Sequence, residues 1–283
     1  MPVAAGHDVQ TTMNYYKPLD GGAEAPYLYI YEPPPGVEKT NIGLQERPVV
    51  VHDVRHMTME TDASLDVHGF RYVKRESAEK EFVDEERIRD VYYREAEELL
   101  KREVPGAKSV YIFDHTIRQV VSFDPVMRGN GRGPTQRVHV DQTFEASAKR
   151  VRRHLPERAD TLLQSRFRLI NIWRPIANPV AHTPLGIVDW RTIDPSRDLV
   201  ASRHIYPTFE GATFNVRPNE NHKWWYMSEQ TPDECLLIKC YDSEERDGVA
   251  RAVPHSAFVD PGTDEGKARR QSIELRCLVF DTE

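Results

Sequence analysis

Cysteine is scarce in this chain: three in 283 residues, Cys235, Cys240 and Cys277. They form no Cys-x-x-Cys pair, are odd in number, and sit inside apolar strand-like runs, where a reduced thiol behaves as a small hydrophobe. A disulfide scaffold is therefore not expected. Long apolar runs are lacking too. No stretch approaches the roughly 20 residues a membrane-spanning helix needs. The first eight residues, Met1 to Asp8, hold no basic stretch followed by an apolar one. No secretory signal is read there, and a soluble, cytoplasmic protein is expected. Excess positive charge is also missing, with 38 Lys and Arg against 45 Asp and Glu and a net charge of −7. That balance disfavours a general polyanion binder. The local basic run Lys149-Arg150-Val151-Arg152-Arg153-His154 reads as the solvated side of a helix. Neither nucleic acid nor membrane is expected as a partner.

The length suffices for one large domain or two small ones. No internal repeat or low-complexity block divides the chain. Residues 1–26 are polar and carry Gly21-Gly22, so a loosely held arm is expected there, with residues 27–283 as a single domain. Residues 84–102 form the clearest helix: Ile88, Val91, Tyr92, Ala96, Leu99 and Leu100 recur at three- and four-residue steps. Acidic residues open it and Lys101 and Arg102 close it, as the helix dipole favours. A second helix follows Thr143, and a shorter one covers about 157–165. Strands are expected at 109–113 and 117–123. The stretch 127–134, rich in glycine, lacks the Gly-Lys-Ser/Thr of a phosphate loop and reads as a loop. From residue 167 onward the character turns to β. Runs 168–174, 212–217, 222–228, 235–241, 249–253 and 272–280 are rich in β-branched, aromatic and apolar residues. The pattern is mainly β, an antiparallel core with flanking α-helices.

Within it, His139-Val140-Asp141 stands out, because no other histidine is followed two residues later by an acid. Side chains two apart in a strand share a face, so an imidazole nitrogen and a carboxylate oxygen can meet at one point. Two readings are open at this level: a strand histidine paired with a carboxylate, or half of a metal site. His255, 255 − 139 = 116 residues on, supplies a second imidazole for the metal reading. Two nitrogens and one oxygen on one face leave positions vacant, which suits non-haem Fe(II). Histidines from separate strands meet only if the sheet curls, as a double-stranded β-helix (jelly-roll, cupin-like) core does.

The segments Arg-Val-His-Val-Asp-Gln-Thr (137–143), Ile-Asn-Ile-Trp-Arg-Pro-Ile (170–176), Leu-Leu-Ile-Lys-Cys-Tyr-Asp-Ser (236–243), Pro-His-Ser-Ala-Phe (254–258) and Ser-Ile-Glu-Leu-Arg-Cys-Leu-Val-Phe (272–280) carry a resemblance. So do Val-His-Asp-Val-Arg (51–55), Asp-Val-His-Gly-Phe (66–70) and Ile-Phe-Asp-His-Thr-Ile-Arg (112–118). Together, over about residues 27–280, they resemble the gibberellin-desaturase-like and CmcJ-like hydroxylase/desaturase family. The resemblance implies the jelly-roll core, Fe(II) on His139, Asp141 and His255, and 2-oxoglutarate and O2 as cosubstrates giving succinate and CO2. It implies hydroxylation, desaturation or oxidative cyclisation of a small molecule in secondary metabolism.

Related oxygenases place an Arg-x-Ser pair soon after the distal histidine to clamp the far carboxylate of 2-oxoglutarate. Arg270 with Ser272 is the first expectation, and Arg276, on the same face by two-residue periodicity, is the second. A surface pair with Glu274 is the competing account of either arginine. Trp173 is expected to wall the pocket, Arg174 to bind a carboxylate, and one ring among Trp224, Trp225 and Tyr226 to face the cavity, with Tyr226 the candidate. His68, His115 and His222 receive no role. Two other readings keep the same three ligands: a zinc-dependent hydrolase, which needs a base beside the metal-bound water, and a non-catalytic metabolite-binding barrel. Substrate identity and oligomeric state are not readable.

Overall fold

A computed structural model describes residues 7–56, 63–119 and 133–283. Its strands are β1 (Val9–Pro18), β2 (Tyr27–Tyr29), β3 (Ile42–Asp53), β4 (Phe70–Lys74), β5 (Ser109–Gln119), β6 (His139–Val140), β7 (Phe167–Pro175), β8 (Leu185–Val188), β9 (Leu199–Ile205), β10 (Glu210–Val216), β11 (Trp224–Tyr226), β12 (Glu234–Asp242), β13 (His255–Ala257) and β14 (Gln271–Phe280). Nine form one sheet in the order β1-β3-β11-β8-β13-β6-β10-β9-β2, and five form a second, β4-β12-β7-β14-β5. The larger sheet curls until β1 returns to the metal strand, where the Asn14 carbonyl accepts from Val138 N at 2.9 Å. The sheets face one another and make a double-stranded β-helix.

The inner layer is apolar and drawn from both sheets: Ile187 and Trp225 from the larger meet Phe70, Leu169, Trp173 and Leu236 from the smaller. The outer face of the smaller sheet, with Ile170, Ile172, Leu237 and Leu275, packs against Leu99 and Leu100. Those leucines belong to α1 (Tyr93–Glu103), the end of a helix that opens at Glu85–Arg87 and widens to a π turn over Ile88–Tyr92. Asp84 caps the start by accepting from the backbone N–H of Glu86 and Arg87. Covered on both faces, all nine residues of β7 are buried. A second helix, α2 (Phe144–His154), follows the metal strand and is capped by the Thr143 hydroxyl.

Several expectations shift. The first residues are not a loose arm throughout: Val9–Pro18 pair with β3 over ten residues, and the alternating Met13 and Tyr15 are buried. One continuous strand, β5, replaces the two expected over 109–123, whose end from residue 120 lies outside the described residues. Most of the glycine-rich stretch lies outside them too. Residues 249–253 form no strand. They are fastened instead by Val253 N to the Lys239 carbonyl at 2.9 Å, and Lys239 N to the Gly69 carbonyl at 2.8 Å. Gly69 has φ +82°, and a Cβ there would lie 2.0 Å from Cγ2 of Val253, so only glycine fits.

Lys239 itself is fully buried and bonded to Asp242 at 2.6 Å and Asp66 at 2.8 Å, with Arg166 on the same two carboxylates. Among the described residues no helix is long and apolar enough to cross a membrane.

Candidate metal centre

His139 on β6 and His255 on β13 are direct cross-strand partners. Their ring centroids lie 4.5 Å apart. The chain leaves β6 straight into Asp141, whose Oδ1 stands 3.3 Å from Nε2 of His139 and 3.9 Å from Nε2 of His255. One ligand atom from each of the three lies within 4.8 Å of the others.

The tautomers follow from the backbone. Nδ1 of His139 donates to the Arg137 carbonyl at 2.7 Å, and Nδ1 of His255 donates to the Val253 carbonyl at 3.1 Å. Each ring is fixed by a carbonyl two residues upstream, and a carbonyl can only accept. In the neutral rings both Nε2 atoms therefore present lone pairs beside a carboxylate oxygen. Burial and the neighbouring His139 push the His255 pKa down, which keeps its imidazole neutral. Three acceptors crowded together without a donor between them need a cation. The donor set, two imidazoles and one carboxylate, fits Fe(II) with open positions.

The other carboxylate oxygen of Asp141 is held from the smaller sheet. Asn171 on β7 donates from Nδ2 to Asp141 Oδ2 at 2.6 Å and to Glu274 Oε1 at 2.9 Å. Nε of Arg276 lies 3.6 Å from the same Oδ2. Burial opposes ionisation of Asp141, but its contact with His139 and the Arg276 charge outweigh it and hold the pKa well below the ordinary value. Orienting partners of this kind free Oδ1 for a metal.

Ser272, Glu274 and Arg276 alternate along one face of β14, with Arg270 just ahead of the strand. The structure separates the two arginines. Arg276 is saturated: it bonds Asp114 at 2.6 Å, Thr116 at 3.1 Å and Glu274 at 3.3 Å, and its pair with the buried Glu274 is half-buried. Burial works against its charge, but the carboxylates of Glu274, Asp141 and Asp114 prevail and raise its pKa. Arg270 is buried, yet among the described residues its one hydrogen bond runs from Nη1 to the Thr183 carbonyl at 2.7 Å, and Nε has no partner. Its guanidinium sits 5.5 Å from the centroid of the Trp173 ring. Burial, with Arg118 nearby, pushes its pKa down to about 9. Ser272 is buried near it on the same face.

Two expected pocket residues lie elsewhere. Arg174 follows Trp173 and so points to the opposite face of β7, where Nε donates to the Tyr92 hydroxyl at 3.2 Å and Nη1 to the Pro232 carbonyl. Tyr226 faces away from the inner layer, packs edge-on against Phe258 and donates to the His7 carbonyl at 2.8 Å. Its neighbour Trp225 is the ring that joins the inner layer. His222 is buried between the Tyr15 hydroxyl and Asp198, each at 3.0 Å, a structural histidine.

His139 and Asp141 open on a cavity of about 760 Å³. Arg137 shares their face by the same two-residue alternation and lines it, as do Arg150, Arg153, His204 and Arg276. Arg150 and Arg153 belong to the basic run read as a solvated helix side; that side of α2 faces the cavity. Asn171, Glu274, Arg137 and His204 join the site without a functional role expected from the sequence. Alternation from His139 and Trp173 was the signal that would have found Arg137 and Asn171.

The model of the Oxidoreductase/YMDC permease-like domain matches residues 13–280. The hydroxylase/desaturase efuI of Hormonema carpetanum is 37% identical, over 96% of this chain and 95% of that one. The alpha-ketoglutarate-dependent dioxygenase phiK of Fungal sp. (strain ATCC 74256) is 31% identical, over 96% and 95%. A solved structure of the iron and alpha-ketoglutarate-dependent endoperoxidase NvfI superposes with a TM-score of 0.82 at 32% identity, covering 96% of this chain and 98% of that one. NvfI from Aspergillus novofumigatus is also a sequence relative at 32% identity. With its three-ligand group set between two facing sheets, the chain belongs to the hydroxylase/desaturase family of Fe(II)/2-oxoglutarate-dependent oxygenases.

Proposed function

We propose that this oxygenase binds Fe(II) on His139, Asp141 and His255, clamps 2-oxoglutarate with Arg270 and Ser272, and oxidises a small molecule held in the cavity beside His139. The observation that carries the reading is the pairing of three converging acceptors with a buried arginine that lacks a carboxylate partner among the described residues. Bound there with 2-oxoglutarate and O2, Fe(II) would supply the oxidising power, with succinate and CO2 as the coproducts.

The residues do the rest. The Arg137 and Val253 carbonyls keep both imidazoles in the tautomer that presents Nε2. Asn171 and Arg276 hold one oxygen of Asp141, so the carboxylate does not swing. Arg270 offers two N–H groups in a dry setting, where a bidentate carboxylate bond is strongest, and Trp173 flanks its guanidinium. Secondary metabolism is the setting that relatives such as the Aspirochlorine biosynthesis protein N of Aspergillus oryzae support.

The test is anaerobic. Fe(II) and 2-oxoglutarate together should raise a weak visible charge-transfer band in the wild type and none in His139→Ala. Absence of the band from the wild type would sink the proposal. Arg270→Gln should raise the 2-oxoglutarate KM about 10-fold or more, as loss of a charged hydrogen bond predicts. An unchanged KM would remove Arg270 from the clamp.

A further inference from the structure

We propose that the substrate of this cavity carries an oxyanion, in the first instance a carboxylate, and that Arg137, Arg150 and Arg153 receive it. The inference rests on the cavity being the substrate pocket, and it deepens that reading by naming the substrate class. All three arginines line the cavity, and Arg137 projects from the same face as His139 and Asp141. Among the described residues none of the three forms an ion pair with a carboxylate. The acids nearby are already engaged: Asp114 with Arg276 at 2.6 Å, and Glu85 with His115 at 3.3 Å.

Aromatic faces hold two of the guanidiniums in place. Arg150 sits 5.2 Å from the Phe113 centroid and Arg153 4.2 Å from that of Phe209. His204 adds no charge at neutral pH, since burial and the neighbouring Arg137 and His139 push its pKa down to about 4. A chain of net charge −7 thus gathers, at one wall of one cavity, three guanidiniums without a carboxylate partner among the described residues. The opposite character is supplied by Tyr206 and Phe209, stacked at 4.3 Å and 8°. An apolar body with a charged end matches both. Guanidinium forks fit carboxylate and phosphate oxygens alike, so the shared requirement is the oxyanion.

The probes are 1-naphthoate, its methyl ester and 1-naphthyl phosphate, titrated calorimetrically into protein holding Fe(II) and saturating 2-oxoglutarate without O2, and again into metal-free protein. Wild type should bind 1-naphthoate about 10-fold or more tightly than the ester, the scale of one charged hydrogen bond. Arg137→Gln combined with Arg150→Gln should bring the two to near parity. Tighter binding of the phosphate would keep the oxyanion and identify it as a phosphate. Equal binding of acid and ester by the wild type overturns the proposal without any variant. So does competition of 1-naphthoate with 2-oxoglutarate, or a loss of 2-oxoglutarate affinity alone in Arg137→Gln, which would make Arg137 part of the cosubstrate clamp. Because the metal-free titration needs no charge-transfer band, failure of the iron reading is seen separately.

Discussion

Asn171 reaches across from the smaller sheet to Asp141, donating to its Oδ2 at 2.6 Å from a buried position on β7. This contact ties a metal ligand of one sheet to the core of the other. Asn171→Ala should weaken Fe(II) affinity about 10–100-fold, the usual cost of losing a group that orients a ligand. Competition against a fluorescent chelator would measure it. Unaltered affinity would mean that Asp141 keeps its orientation without Asn171.

Arg270 and Arg276 predict opposite phenotypes although they share a face. Arg276→Gln leaves Asp141, Glu274 and Asp114 without their shared cation, so iron retention should fall and the 2-oxoglutarate KM, measured at saturating iron, should hold. Arg270→Gln should do the reverse. Initial rates over a two-dimensional grid of Fe(II) and 2-oxoglutarate concentrations distinguish them, and identical behaviour would dissolve the division of labour.

The cluster of buried Lys239 and Asp242 with half-buried Asp66 and Arg166 sets an acid limit. Burial pushes the Asp66 carboxyl up, but Lys239 and Arg166 outweigh it and hold its pKa down to about 2. Asp242 is lowered by the same two cations against its own burial. A carboxylate depressed on folding stabilises above its unfolded pKa of about 3.9 and loses that contribution as pH falls through the folded value. Urea midpoints should therefore be insensitive to this cluster above about pH 5 and decline between about pH 4 and pH 2. Asp242→Asn leaves Lys239 and Arg166 partly uncompensated and should cost about 3–5 kcal/mol at neutral pH. The gap between variant and wild type should narrow on acidification; a constant gap would contradict the linkage.

Gly69→Ala should damage both fold and metal site. The positive φ disfavours any side chain, and the new Cβ would collide with Val253, whose carbonyl orients His255. Iron affinity should drop with thermal stability, whereas Gly248→Ala, also at positive φ but with nothing within 4 Å, should lower stability modestly and spare the metal. Chelator competition and thermal unfolding of both variants check this pairing.

Much of the site was legible because strand alternation is a strict rule. It placed His139 with Asp141, and it allows only one of Trp173 and Arg174, or of Trp225 and Tyr226, to face inward. Which one faces inward depends on where β7 and β11 sit between layers, and a run buried on both faces does not reveal that. Arg270 and Arg276 were indistinguishable in the sequence since the carboxylates that engage Arg276, Asp141 and Asp114, come from remote segments. The basic run 149–154 is solvated at Lys149 and Arg152 as expected, but Arg150 and Arg153 also line the cavity, and a polar helix face looks the same whether it meets solvent or a polar cavity. The first strand was missed because its alternation of Val9, Met13 and Tyr15 is weak and lies next to a glycine-rich turn.

His139 and His255 face each other across a single ladder rung, although six strands, β7 to β12, are synthesised between them. A chain truncated before β13 keeps two of its three ligands, so tight iron uptake waits until β13 joins the sheet. Metal retention then serves as a sensor of completed assembly, and a variant that slips β13 by one residue would emerge folded in outline yet chemically silent.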